Sequence, residues 1–481
     1  MLKNFLKTMS LPLFSAGLGI ISSLYFLNYP FLGLFFLTPL FIFFIKEKRL
    51  AYLCWGAFLF RFLWGSGVAY FIWDPIVFFL LSLVFFGLPL SIYFLKCWLA
   101  KNLENPRFQQ ISLLFALPFL WTFWEYLQAR YNLVSSFIVT SANAISPLFL
   151  GLASYGGYLA LIFLAALTNA LLATIILKFP ENKKISIFLG LILILIIFSS
   201  LKISKIELQK NEILYQTKKN VLKIAAISNN EDFDEELIQK LVQNYQKKYD
   251  IPAHAQIISF LNPIFEEASS SDFDILFLPE HFIDLTGIED YLNIESGKEL
   301  TKAYQYFTKK LNRPIAVVFA NKQNGRNYNS TFLFYPNGEK EIYNKRRLMF
   351  IGEVFPFKNG QSYFAFGKEL KTFKTKNIPF VSAMCSEIHY PSDLYKAKKR
   401  GIKFIYTPTS NRWAGQGIGL YQYLFLTNHL KKIMSVWLKT PIINVGRNDF
   451  PGIYSPDGKT RLIEFESQNQ DYQIFSGEIR L

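Results

Sequence analysis

Along the first 200 residues, apolar positions come in long runs broken by short polar clusters. Beyond residue 202 they shorten into β-rich runs set between amphipathic stretches. A helix needs about 20 mostly apolar residues to cross the hydrocarbon of a bilayer. Seven segments are expected spans: 9–28, 30–45, 51–72, 76–95, 110–128, 150–177 and 185–201. The second is short and follows Pro30 closely, which predicts a tight hairpin with the first. A single run of this kind also reads as a buried core helix, but seven in series read as membrane. The first run leads directly into further membrane, so no cleavable leader is expected. The pattern divides the chain into a multi-span domain (1–202), a linker (203–219) and a second domain (220–481).

In the second domain, Leu222–Ile227 predicts a first strand, 234–249 has helical spacing, and Ile275–Leu278 predicts a buried strand ending at Pro279-Glu280. Further strands are expected at Pro314–Ala320, Ser330–Tyr335, Ile378–Ala383, Lys403–Pro408 and Pro441–Val445. Strands alternating with helices predict a layered α/β domain.

Charge adds an orientation. Lys3, Lys7, Lys46, Lys48, Arg49, Lys96, Lys101, Arg107, Lys178, Lys183 and Lys184 fall in loops on one side of the seven-span pattern, and only Arg130 falls on the other. Basic loops stay cytoplasmic, so an odd number of spans places the second domain outside the cytoplasm. The net charge of +16 is then read as these loops, a lysine-rich surface and attraction to anionic lipid. A nucleic-acid partner is not expected. Of three cysteines, Cys54 and Cys97 fall in or beside spans, leaving Cys385 alone in the outer domain with nothing to pair with.

A lone outer cysteine is either a buried bystander or a nucleophile. Here the order of residues decides. Glu280 precedes Lys345 by 65 residues, and Lys345 precedes Cys385 by 40. A thiol attacking a carbonyl needs a carboxylate to take its proton and a fixed cation to hold the oxyanion. For Lys345, flanked by Arg346 and Arg347, the competing reading is a solvated basic turn. The four histidines (254, 281, 389, 429) are scattered, so neither a metal nor any other cofactor is expected. His389, four residues after Cys385, is expected to line a pocket or pack rather than to act with the thiol.

The Glu-Lys-Cys order resembles the nitrilase triad. Over nearly its whole length the chain resembles the apolipoprotein N-acyltransferases, the membrane-bound branch of the nitrilase (carbon-nitrogen hydrolase) superfamily. The segment Tyr343–Pro356 resembles that family's Tyr-x-Lys-x-x-Leu…Gly-Glu-x-x-Pro, and Pro279-Glu280 and Cys385-x-Glu387 resemble its other two motifs. Trp121–Leu127 resembles its Trp-x-x-x-Glu-x-Leu within a span. The resemblance implies an α-helical membrane bundle of about seven spans plus an extracytoplasmic α/β nitrilase-like domain, an αββα sandwich. It implies Glu280 as general base, Lys345 as oxyanion cation and Cys385 as nucleophile, with Glu353 and Glu387 in support. Trp413, Phe350 and Ile351 are the expected substrate contacts, Phe350 and Ile351 within an apolar run that is either a lipid-facing lip or a core turn.

The activity so implied is acyl transfer at a bacterial inner membrane, by a monomer, from a phospholipid such as phosphatidylethanolamine to the N-terminal amine of a diacylglyceryl apolipoprotein. A membrane-tethered amidase using water in place of the amine is the alternative, and a retired, non-catalytic scaffold a further one. The chain also departs from the family. Ser386 stands where a tyrosine is usual, Ser410–Gly415 matches its Asn-Asp-x-Trp-Phe-Gly only at Trp413 and Gly415, and 422–449 lacks its Arg- and Glu-rich helix. Leu481 ends a polar stretch rather than the family's closing transmembrane helix, from which a single tether near residue 202 is expected.

Overall fold

The computed structural model describes residues 2–24, 29–68, 86–131, 141–230, 233–246, 251–285, 295–349, 353, 364–411, 418–449, 451–461, 464–465 and 471–481. The chain forms two units, Met1–Glu212 with Ala414–Trp437, and Ile213–Trp413 with Leu438–Leu481.

The first unit is helical: α1 (Leu2–Ser23), α2 (Thr38–Lys46), α3 (Leu50–Val68), α4 (Gly87–Asn102), α5 (Pro106–Tyr131), α6 (Ser141–Phe149), α7 (Tyr158–Lys178) and α8 (Lys183–Gln216). Helix falls within each of the seven expected segments. Among the described residues three helices, Phe5–Ser23, Tyr158–Lys178 and Lys183–Gln216, are long and apolar enough to cross a membrane, and Pro30–Lys46 and Leu50–Gly65 are shorter apolar helices. On α5, buried Glu125 accepts the Ser141 amide at 3.1 Å and its hydroxyl at 2.7 Å, satisfying a donor at the start of α6 that the helix itself cannot. Basic segments meet in pairs. Lys96 donates to the carbonyls of Ile45 at 3.2 Å and Glu47 at 2.5 Å, and Lys178 donates to Gln110 at 3.1 Å.

Where a linker is expected at 203–219, α8 remains helical to Gln216. No glycine or proline interrupts 191–216, so nothing in the sequence stops the helix. Its 34 residues extend about 51 Å at 1.5 Å per residue.

The second unit is built from β1 (Val221–Asn229), α9 (Glu235–Gln246), α10 (Ala253–Ala268), β2 (Ile275–Glu280), α11 (Ser296–Leu311), β3 (Ile315–Gln323), β4 (Arg326–Phe334), β5 (Lys340–Asn344), β6 (Thr372–Thr375), β7 (Ile378–Ser382), α12 (Pro391–Lys399), β8 (Phe404–Ser410), β9 (Ile442–Arg447) and β13 (Tyr472–Arg480), with the short β10 (Gly452–Tyr454), β11 (Thr460–Arg461) and β12 (Glu464–Phe465) before the last. The strand order is β5-β4-β3-β2-β1-β9-β8-β7-β6. β1 pairs in parallel with β2, antiparallel with β13 from Val221 to Asn229, and with β9 at the single pair Asn229–Arg447.

Because β1 and β9 share one register pair among the described residues, the sheet halves part beyond it and their faces meet. Phe277 of β2 lies 6.1 Å from the rings of Phe380 and Phe404 and 4.6 Å from Tyr406. Ile224, Ala226, Phe277 and Val318 bury themselves there, while Ala225, Ile227, Leu276 and Val317 pack under Leu241, Leu261, Phe265 and Phe307 of α9, α10 and α11. Strands covered on both faces read as continuous apolar runs, which is why β1, β2 and β3 are visible in the sequence.

The crossover between β8 and β9 divides differently from the expected domains. Its helix α13 (Ile418–Leu438) falls in the first unit, not the second. Gln422 donates to the Ser23 carbonyl at 2.9 Å, His429 lies 3.3 Å from the Ser146 hydroxyl, and Trp437 packs edge-on to Tyr158. At Gly157 (φ 62°) a side chain would come within 2.6 Å of Trp437. The chain therefore passes between the units at three places rather than through one tether near residue 202.

Candidate active site

β2 ends in Glu280, at the rim of the sheet, where a register shift between Phe277 and Glu280 interrupts the pairing with β3. Such irregularities re-aim a side chain. Glu280 is 4% exposed. Lys345 follows β5 directly and is held by its own backbone: its amide donates to the Asn329 carbonyl at 2.8 Å and its carbonyl accepts from Gly367 at 2.8 Å. A side chain at Gly367 would collide with the Asn344 carbonyl at 1.9 Å.

Lys345 is 1% exposed, so the solvated-turn reading does not hold. Its neighbours find partners too, Arg347 at 3.0 Å from Asp393 and Arg346 bonded to the same carboxylate. The ammonium lies 2.8 Å from Glu353 and 3.4 Å from Glu280. Asn329 of β4 spans the same two carboxylates, donating at 2.6 Å to Glu280 and at 3.0 Å to Glu353. Burial works to discharge Lys345, but Glu280 and Glu353 outweigh it and hold the ammonium protonated above the usual lysine range.

Cys385 opens a 3-10 turn (Cys385–His389) after β7. It is buried and has φ 43°, a left-handed conformation that a residue with a side chain adopts under strain and that clusters at functional sites. Burial pushes the thiol well above its ordinary range, the charge of Glu280 adds to this, and Lys345 and the Ser410 amide offset it in part. A thiol protonated at rest requires a base when it attacks.

Glu387 ties the cysteine turn to the lysine turn. It accepts from the Tyr343 hydroxyl at 2.5 Å, from the amides of Arg346 and Arg347 at 2.9 and 3.2 Å, and from the Met384 amide at 3.1 Å. Burial raises its pKa, opposed by these donors and by Lys345. The Ser386 hydroxyl adds a bond to the Arg347 carbonyl at 2.8 Å. His389 is buried at the end of the turn.

Glu280, Lys345, Glu353, Cys385 and Glu387 thus come together from sites spread over more than 100 residues of sequence. Phe350, Ile351 and Trp413 lie outside the described residues. Sequence reasoning missed Asn329, whose signal is a polar residue fully buried in β4, and Tyr343, which it read only as part of a motif.

Residues 212–466 match the carbon-nitrogen hydrolase family. An apolipoprotein N-acyltransferase from Chlorobaculum tepidum is 21% identical over 350 residues, which cover 65% of this chain and 62% of that relative's length. Among solved structures, a CN-hydrolase superfamily protein from Xanthomonas campestris is 13% identical, with a TM-score of 0.37 over 54% of this chain and 91% of its own. The NitFhit protein of C. elegans is 15% identical, with a TM-score of 0.39 over 55% and 62%.

Proposed function

Since the chain belongs to the carbon-nitrogen hydrolase family, we propose that it is a membrane-bound N-acyltransferase of bacterial lipoprotein maturation. The observation that carries this is the buried convergence of Glu280, Lys345 and Cys385 in a chain whose other unit holds helices long and apolar enough to span a bilayer. The similarity to the Chlorobaculum tepidum N-acyltransferase supports the same reading.

In the first step the Cys385 sulfur attacks the ester carbonyl of a phospholipid, with phosphatidylethanolamine the expected donor. Glu280 takes the thiol proton, and Lys345 faces the oxyanion of the tetrahedral intermediate. The carbon–oxygen bond breaks, the proton passes from Glu280 to the departing alkoxide, and a lysophospholipid leaves an acyl thioester on Cys385. In the second step the α-amine of a diacylglyceryl-cysteine attacks the thioester and gives up a proton to Glu280, the carbon–sulfur bond breaks, the proton passes from Glu280 to the sulfur, and the N-acyl product leaves with the thiol regenerated. Each substrate meets the same sulfur in turn, as ping-pong transfer requires.

The seven-span arrangement, the αββα layering and an extracytoplasmic second unit in a bacterial inner membrane belong to this proposal. The pairing of basic segments through Lys96 and Lys178 supports a single cytoplasmic face. Phe350, Ile351 and Trp413 are proposed to meet the acyl chain and the acceptor. The test is mass spectrometry of lipoprotein N-termini in cells with and without the chain: N-acylated termini that depend on it bear the proposal out. Free amines in both, with release of a carboxylate from an amide, would favour the amidase.

A further inference from the structure

A fully buried ion pair outside the triad lies at the seam of the two sheet halves. Arg447, the last residue of β9, is fully buried, and its guanidinium grips Asp234 with Nη2 at 2.6 Å and Nη1 at 3.3 Å. The same group donates to the carbonyls of His281 at 3.0 Å and Asn230 at 3.1 Å. Asp234, equally buried, also accepts the Asp284 amide at 2.7 Å on Oδ2, the oxygen that Nη1 shares. The pair therefore holds both ends of the turn that leaves Glu280, at the His281 carbonyl and at the Asp284 amide.

That turn needs holding. His281 has φ 53°, a conformation unfavourable for a residue with a side chain, and its amide is bound to Val318 of β3 at 2.9 Å. Glu280 thus leaves its strand between an irregular pairing and a left-handed residue. Arg447 holds the carbonyl of that left-handed residue, directly after Glu280.

The backbone of Arg447 faces the other side of the site. It pairs with Asn229 of β1 and with Ser410 of β8, and its carbonyl accepts the Asn411 amide at 3.0 Å. β8 in turn pairs in parallel with β7, the strand that leads into the turn opened by Cys385. One residue is consequently bonded to the chain that follows Glu280 and to the end of β8, at the one register pair that joins β1 to β9 among the described residues.

We infer that Arg447 is a positioning residue for the reaction, its guanidinium and Asp234 aiming Glu280 while its backbone anchors the end of β8, the neighbour of the strand that leads to Cys385. Lysine cannot replace it, because a single ammonium lacks the planar fork that serves a carboxylate and two carbonyls together. This rests on the Glu280–Lys345–Cys385 assignment, but not on the identity of the acyl donor.

The test is a double-mutant cycle on the rate at which full-length protein in detergent takes an acyl group from a water-soluble p-nitrophenyl ester onto Cys385. Arg447→Met, and Asp234→Asn with Arg447→Met so that no buried charge is stranded, are each measured with Glu280 intact and in a Glu280→Gln background. A group acting through Glu280 loses its effect when Glu280 is removed. We expect acylation about 10-fold slower where Glu280 is intact, since small misplacements of a reacting group are costly, and no further loss in the Glu280→Gln background. Equal losses in both backgrounds, a wild-type rate in a folded variant, or no folded protein from either variant would overturn the inference and leave the pair a stitch of the fold. If Glu280→Gln alone acylates at the wild-type rate, it is the triad assignment that fails and this inference falls with it.

Discussion

Lys345 makes its shorter ion pair, 2.8 Å, with Glu353. Glu280 stands off at 3.4 Å. The lysine charge is therefore shared between two carboxylates, of which Glu353 makes the shorter contact. A base held tightly by a cation is a poorer base, so in the proposed mechanism a second carboxylate on Lys345 would help Glu280 act as base.

Glu353→Gln accordingly preserves an acceptor for Lys345 but not its charge, and the ammonium turns toward Glu280. Acylation of Cys385 should slow by about 10- to 100-fold, the scale of a weakened general base, with little change in KM. Single-turnover transfer from labelled phospholipid measures this. An unchanged rate would remove Glu353 from the mechanism.

Tyr343→Phe removes one of four donors to Glu387 and leaves a buried carboxylate less satisfied. The expected cost is about 1–3 kcal/mol of stability, read as a lower Tm. Because the bond joins the lysine and cysteine turns, acylation should slow as well. Lower stability with wild-type acylation in the folded fraction would make the bond purely structural.

Much of this was legible in the sequence, and the exceptions share a physical cause. β1, β2 and β3 announce themselves because both faces are buried, and Glu280, Lys345 and Cys385 are candidates in the sequence because each lies in a short motif. Asn329 and Arg447 are harder to read, because each works through partners distant in sequence, Asn329 through Glu280 and Glu353, Arg447 through Asp234. The helix α13 misled for another reason. Gln422, His429 and Lys432 interrupt its apolar positions, so composition marks it as part of a globular domain, whereas contacts to Ser23 and Ser146 place it in the first unit.

The charges around Cys385 set opposite signs for two substitutions. Glu280 raises the thiol's pKa and Lys345 lowers it. With Glu280→Gln, alkylation of Cys385 by iodoacetamide should reach half-maximal rate at lower pH than in wild type, even though acyl transfer slows about 10²-fold for want of a base. With Lys345→Met the midpoint should rise and transfer slow by a similar factor. Rates followed on the Cys385 peptide check this, and shifts of the same sign in both variants would contradict the arrangement.

Orientation is open to labelling. In a background with Cys54 and Cys97 replaced by serine, cysteines at Lys48 and Glu181 should be shielded from a membrane-impermeant thiol reagent in outer-permeabilised cells, and one at Gln239 should react. The reverse pattern would put the second unit in the cytoplasm.

The central claim is that Cys385 carries the acyl group. Wild-type protein incubated with isotopically labelled phosphatidylethanolamine and no acceptor should gain the mass of one acyl chain on the Cys385 peptide, released by hydroxylamine and discharged by a diacylglyceryl-cysteine peptide. Cys385→Ala should gain none while inserting and folding normally. Equal labelling of both proteins, or a label on wild type that hydroxylamine does not release, would contradict the account.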